Sequence, residues 1–340
     1  MRISKALVIF MMIVGVLSIH HLSFAKEREG EVTVVFNLNA PANSKEVRLW
    51  VPSPVSDENQ IISDVKVSGN FSGSGIYREG KHGNMALYVE WNGALKERVL
   101  TYTFKAKRKE VVRTDFPKNE LSFSKEEFKD YLKATSLGPT TGKVKGLASE
   151  ITKGKKTNLA KARAIYDWIV NNMHRDPNVK GCGFGEVEKL IVSLGGKCGD
   201  ISSVFVALSR SAGVLARETF GIRMPKGKTG DMTKNQHCWA EFYVPGYGWV
   251  PVDPSDVRKA MLEKNIKDAK DAKDLVEYFF GSVDASRIAY KTGRDIILNP
   301  AQKSGELNYF MYPYAEADGK PLNEDLFGFN IGYRISFKEL

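Results

Sequence analysis

Gly195-Gly196-Lys197-Cys198-Gly199-Asp200, running into Ile201-Ser202-Ser203-Val204-Phe205-Val206-Ala207-Leu208, is the stretch on which the reading of this chain turns. The paired glycines allow a sharp entry, and Ile201, Val204, Phe205 and Leu208 then recur at helical spacing up to a C-cap at Gly213. Cys198 therefore falls at the first position of a helix. Unpaired N–H groups and the helix dipole favour negative charge there, which lowers a thiol's pKa. Lys197 adds a nearby positive charge, and the same N–H groups are placed to stabilise the oxyanion of a tetrahedral intermediate. Without a partner histidine, a buried structural cysteine would explain the stretch equally well.

The partner is His237. Of the five histidines, His20 and His21 lie in an N-terminal apolar segment, His82 in a glycine-rich turn and His174 at the end of an exposed helix. His237 opens the strand His237-Cys238-Trp239-Ala240-Glu241-Phe242-Tyr243-Val244. Strand alternation puts His237, Trp239, Glu241 and Tyr243 on one face, and Cys238, Ala240, Phe242 and Val244 on the other. The second set reads as a core face, which frees the first to border a cleft. A five-residue hairpin leads to Trp249-Val250-Pro251-Val252-Asp253, pairing Tyr243 with Trp249 and Trp239 with Asp253. Asp253 then lies diagonal to His237 on the same face, within side-chain reach. A carboxylate there fixes the imidazole tautomer and favours an imidazolium paired with a thiolate.

Cys198, His237 and Asp253, in that order and on those elements, resemble the transglutaminase-like superfamily of papain-type cysteine enzymes. The matching text is Gly-Gly-Lys-Cys-Gly-Asp with its helix, Gly213-Val214-Leu215-Ala216-Arg217, His237-Cys238-Trp239-Ala240-Glu241-Phe242 and Trp249-Val250-Pro251-Val252-Asp253-Pro254. Leu215 stands where many members carry proline, a departure that touches a turn and not the chemistry. The resemblance implies catalytic roles for Cys198, His237 and Asp253. It also implies a thiol acyl-transfer reaction on amide bonds of proteins or peptides, a cell-wall peptide among the candidates. Hydrolysis (protease or amidase) is favoured over cross-linking by a protein-glutamine transglutaminase. A non-catalytic envelope assembly or binding module is the reading from another class, and the intact triad weighs against it.

Working outward, residues 158–256 form the catalytic core. A helix capped by Thr157 or Asn158, a short helix near 186–193 and the Cys198 helix precede strands near 216–222, 237–244 and 249–253. Helices first and an antiparallel sheet after them define an α+β fold. Residues 26–112 alternate in period two between glycine and proline turns, as in Val32-Thr33-Val34-Val35-Phe36 and Val99-Leu100-Thr101-Tyr102-Thr103-Phe104. These predict an all-β sandwich. Residues 113–157 read as a partly helical connector. Residues 257–340 are a C-terminal extension packing on the core, ending in a stripe (Phe327, Phe329, Ile331, Tyr333, Ile335, Phe337) expected to be one strand.

Residues 1–25 read as a signal peptide: Arg2 and Lys5, an apolar run of about 14 residues, then Ser23-Phe24-Ala25 as a small-x-small cleavage site. The run is shorter than the roughly 20 residues of a comfortable span. A periplasmic or secreted mature chain, without stable membrane insertion, is therefore expected. The chain has 340 residues, 42% hydrophobic and 26% charged, with a formal charge of +10. Its basic residues are dispersed and lack interleaved aromatics, against nucleic-acid binding. No cofactor is implied. Gly75-x₄-Gly80-Lys81 ends in His82 where a phosphate loop needs Ser or Thr. Cys182, Cys198, His237 and Cys238 offer themselves as a zinc set, but no pair has ligand spacing, so no metal is expected. Export favours thiol oxidation. Alternation turns Cys238 away from Cys198, which leaves three arrangements open: a Cys182–Cys238 structural bridge with Cys198 free, a Cys182–Cys198 bridge, or no bridge at all.

Overall fold

The computed structural model describes residues 26–124 and 126–340; the expected signal segment lies outside the described residues. Two large cores and a smaller cluster around Trp50, Ile296 and Phe310 organise the described residues. The first lies between two five-stranded sheets. One has the order Thr229–Asp231, Tyr333–Glu339, Glu27–Asn37, Val99–Lys109, Gln60–Gly69; the other runs Lys320–Pro321, Tyr314–Ala317, Glu46–Ser53, Met85–Asn92, Gly73–Arg78. The period-two pattern explains the packing. Val32, Val34 and Phe36 of one strand, and Leu100, Tyr102, Phe104 and Ala106 of its neighbour, all turn inward and are buried. Lys107 meets Glu27 on the solvent side of the same pair.

Strands from the last third of the chain sit inside both sheets. Tyr333–Glu339 pairs with Glu27–Asn37, placing Ile335 beside Val34 and Phe337 beside Val32. Tyr314–Ala317 pairs with Glu46–Ser53. The aromatic stripe is not one strand, however. Gly328 and Gly332 take φ of +58° and +81°, which breaks the pleat, and only Tyr333–Glu339 is extended. Phe327 and Ile331 are buried all the same.

The second core gathers helices Gly142–Ile151, Asn158–Asn172, Val187–Ser193, Cys198–Ser211 and Pro254–Glu263 against a four-stranded antiparallel sheet. That sheet has the order Gly248–Val252, Gln236–Val244, Ala216–Arg223, Arg287–Thr292. The fold is α+β with a strand-rich N-terminal region, as the sequence predicts. Thr157 caps its helix by accepting from the Ala160 N–H. Helix Cys198–Ser211 is buried on every side through Ser209. Val204 and Phe205 pack in the core that holds Ala240 and Phe242, so the helix lies on the sheet face that carries Cys238.

Candidate active site

Cys198 is the first residue of its helix, with Lys197 as the extended N-cap residue. The helix start is built tightly. Asp200 accepts from the Lys197 N–H at 3.0 Å and, through its other oxygen, from the Gly185 N–H at 2.9 Å. The Gly199 N–H donates to the Cys182 carbonyl at 2.8 Å. A Cβ on Gly199 would come within 2.6 Å of that oxygen, so only glycine lets the Cys182 loop approach. The Gly199 N–H is thereby withdrawn from the oxyanion role expected of the helix N-terminus.

His237 and Asp253 meet as the hairpin register requires. Tyr243 pairs with Trp249 and Ala240 with Val252. Val244 pairs with Gly248 as well, which shortens the loop to residues 245–247. Asp253 then leaves the strand and caps helix Pro254–Glu263, one oxygen accepting from the Asp256 N–H at 2.9 Å. Its other oxygen lies 2.7 Å from His237 Nε2. Nδ1 is therefore the ring nitrogen left to exchange protons with a sulfur. His237 and Asp253 are buried, and Cys198 is only 2% exposed.

The sequence did not reveal what surrounds this pair. Arg287, fully buried, donates to Asp253 Oδ2 and places Nη2 2.8 Å from Asp256 and Nε 3.0 Å from Asp284. Arg223 also pairs with Asp256. Asp256 lies 3.8 Å from His237 Nε2. Asp253-Pro254-Ser255-Asp256, an N-cap with proline at the first helical position, carried a signal for Asp256. Arg287 had none, because its strand lies outside the resembling region. Burial and the Arg223 charge pull the His237 pKa down, but Asp256 and Asp253 prevail and hold it above its ordinary value. Asp256 lies well below the usual carboxylate range: burial opposes this, but His237, Arg287 and Arg223 outweigh it. His237, Asp253 and Asp256 have the spacing of a metal triad, yet the Arg287 guanidinium already spans both carboxylates.

The sulfurs give the largest correction. Cys238 was expected to face away from Cys198, but the sulfurs of Cys182, Cys198 and Cys238 all lie within 4.8 Å of one another. The physical reason is the packing of the helix: it rests on the Cys238 face, so its first residue meets Cys238 there. Cys182 does reach Cys238, though all three are free thiols. Hydrogen bonding from Cys182 and from Cys238 holds the Cys198 thiol well below its ordinary pKa against burial, with His237 adding to the effect. Cys182 is driven well above its ordinary value by its bond to Cys198, and Cys238 chiefly by burial. Cys182 Sγ donates to the Gln236 carbonyl at 3.2 Å. On the opposite sheet face, Trp239 and Glu241 line a cavity of about 760 Å³ with Arg108, Arg217, Trp249 and Pro251. His237 does not line it; its ring centroid lies 6.5 Å from that of Trp239, with the planes inclined by 23°.

An antiparallel sheet covered by a helix that starts at a thiol, with a buried histidine–carboxylate pair beside it, defines the papain-like class of fold. The transglutaminase-like superfamily matches residues 145–254. A Haemophilus influenzae protein, itself uncharacterised, is 38% identical over 322 residues, covering 86% of this chain and 87% of its own. The crystal structure of a candidate cysteine protease from Cytophaga hutchinsonii aligns with a TM-score of 0.54 at 15% identity, over 93% of this chain and 99% of that one. The chain belongs to the transglutaminase-like superfamily. Among the described residues, no helix is long and apolar enough to cross a membrane.

Proposed function

We propose that this chain is an exported thiol acyl-transfer enzyme acting on amide bonds of proteins or peptides, with Cys198 as nucleophile, His237 as proton carrier and Asp253 as the group that orients His237. The observation that carries the reading is the buried His237 Nε2–Asp253 contact of 2.7 Å beside a cysteine whose pKa is pushed down. The Cys198 thiolate attacks the carbonyl carbon. Protonated His237 gives its proton to the departing amine as the C–N bond breaks, leaving a thioester. Neutral His237 then takes a proton from water, whose oxygen displaces the sulfur and releases the acid. A primary amine in place of water would give a new amide. Hydrolysis is the favoured outcome, and residues 1–25 supply the export reading.

Cleavage of a quenched peptide library and incorporation of a dansylated amine, measured side by side, test the proposal. Wild-type protein should cleave library members, and Cys198→Ala should not. Cleavage surviving in Cys198→Ala would refute the assignment, and amine incorporation without cleavage would move the activity to the transferase side.

A further inference from the structure

Triad chemistry uses one sulfur, yet the fold gathers every cysteine of the chain into one place. Cys182 comes from a glycine-rich loop, Cys198 from the helix start and Cys238 from the central strand. Their sulfurs lie mutually within 4.8 Å and all three residues are buried. Such convergence is invisible to spacing, because the three ligands arrive on separate elements. It is not explained by hydrophobic packing alone either, since alternatives such as Ala or Val would fill a core without reactive sulfur.

We infer that Cys182, Cys198 and Cys238 form a three-sulfur site for a thiophilic divalent cation of the zinc or cadmium type, whose binding silences Cys198 reversibly. The geometry suits such an ion. Zinc–sulfur bonds of about 2.3 Å at tetrahedral angles put sulfurs about 3.8 Å apart, so the observed set needs to contract by no more than about 1 Å. Three protein ligands leave a fourth position open, as in catalytic zinc sites. Sulfur ligands bind as thiolates, so binding releases the protons that the thiols carry. The loop is held in place for this by bonds that do not involve sulfur: Tyr309 donates to the Gly183 carbonyl at 2.7 Å and Arg294 to the Phe184 carbonyl at 2.9 Å. Coordination engages one lone pair of the Cys198 thiolate and draws its negative charge onto the cation, so the bound sulfur is a much weaker nucleophile. The site goes beyond the acyl-transfer reading and stands whether or not that reading holds.

Reduced full-length mature protein, freed of metal, is titrated with Cd²⁺ while thiolate-to-metal absorption and iodoacetamide labelling of Cys198 are followed. One equivalent should bind with the absorption of three thiolates. Labelling should stop at one equivalent and return on adding a chelator, with Zn²⁺ competing for the same site. Cys182→Ala and Cys238→Ala should each weaken Cd²⁺ binding at least 100-fold. If either variant fails to fold, ¹¹³Cd NMR of the wild-type complex counts the sulfur ligands directly. Absence of stoichiometric binding, a cadmium shift showing one sulfur or none, or affinity unchanged in both variants would overturn the inference. A Cys182–Cys198 disulfide that resists reduction in folded protein would overturn it as well.

Discussion

Arg287 and Arg294, two buried arginines from one short stretch of the C-terminal extension, do different work. Every hydrogen-bond partner of Arg287 is a carboxylate: Asp253, Asp256 and Asp284. Two of those carboxylates also touch His237. Arg294 pairs with only one, Glu218, at 2.8 Å, and gives its remaining donors to the Phe184 carbonyl, Ser203 Oγ and Asn308. Ser203 belongs to the helix that begins at Cys198, and Glu218 to the strand Ala216–Arg223. One arginine thus fixes the field around a titrating ring, and the other pins the loop that carries Cys182. A buried guanidinium is electrostatic machinery when its partners touch the titrating ring, and scaffolding when they tie a loop to a helix and a strand.

Removing each arginine separates the two roles. Arg287→Ala leaves the buried Asp253 without a cation, Asp256 with Arg223 alone, and Asp284 without its partner. The expected loss of stability is near the upper end of roughly 3–5 kcal/mol, measured by urea unfolding. In protein that stays folded, NMR should find the His237 pKa moved further up, since a positive neighbour has gone. Arg294→Ala orphans one carboxylate, so the loss should sit near the lower end of that range of roughly 3–5 kcal/mol. Its His237 titration should match wild type, while hydrogen exchange at residues 182–185 accelerates. A matching His237 shift in both variants would erase the distinction.

Acid sharpens the comparison with a smaller effect. The folded pKa of Asp256 is depressed, so its contribution is complete above the unfolded value of about 3.9 and lost as pH falls below it. Wild-type stability should therefore fall more steeply below about pH 4 than that of Asp256→Asn. Parallel slopes would mean that the Asp256 cluster is not linked to folding.

Much of this site was legible in the sequence because it is local. Cys198 is announced by a glycine turn running into an apolar helix, and the His237–Asp253 contact follows from strand parity and hairpin register. The Tyr243–Trp249 pairing that carried this argument is present. What escaped depends on which face receives a neighbour. Parity separated Cys238 from His237 correctly, but could not say that the helix would land on the Cys238 side and bring Cys198 with it. Arg287 escaped because it lies outside the resembling region, and a lone arginine in a sequence carries no sign of the carboxylates that the fold brings around it. The final stripe was read as a continuous strand because alternation in side chains does not register the positive φ of Gly328 and Gly332.

The most direct test of the central claim is the pH profile of iodoacetamide labelling, mapped by mass spectrometry on metal-free, native protein. The His237 pKa is raised and the Cys198 pKa depressed, so thiolate and imidazolium coexist between them. Cys198 should label before Cys182 and Cys238, with its rate persisting well below the ordinary thiol pKa of about 8.5. In His237→Ala, which removes one of the groups favouring the thiolate, the profile should move up in pH. Equal labelling of the three cysteines, labelling of Cys198 only after unfolding, or a profile unmoved by His237→Ala would contradict the assignment.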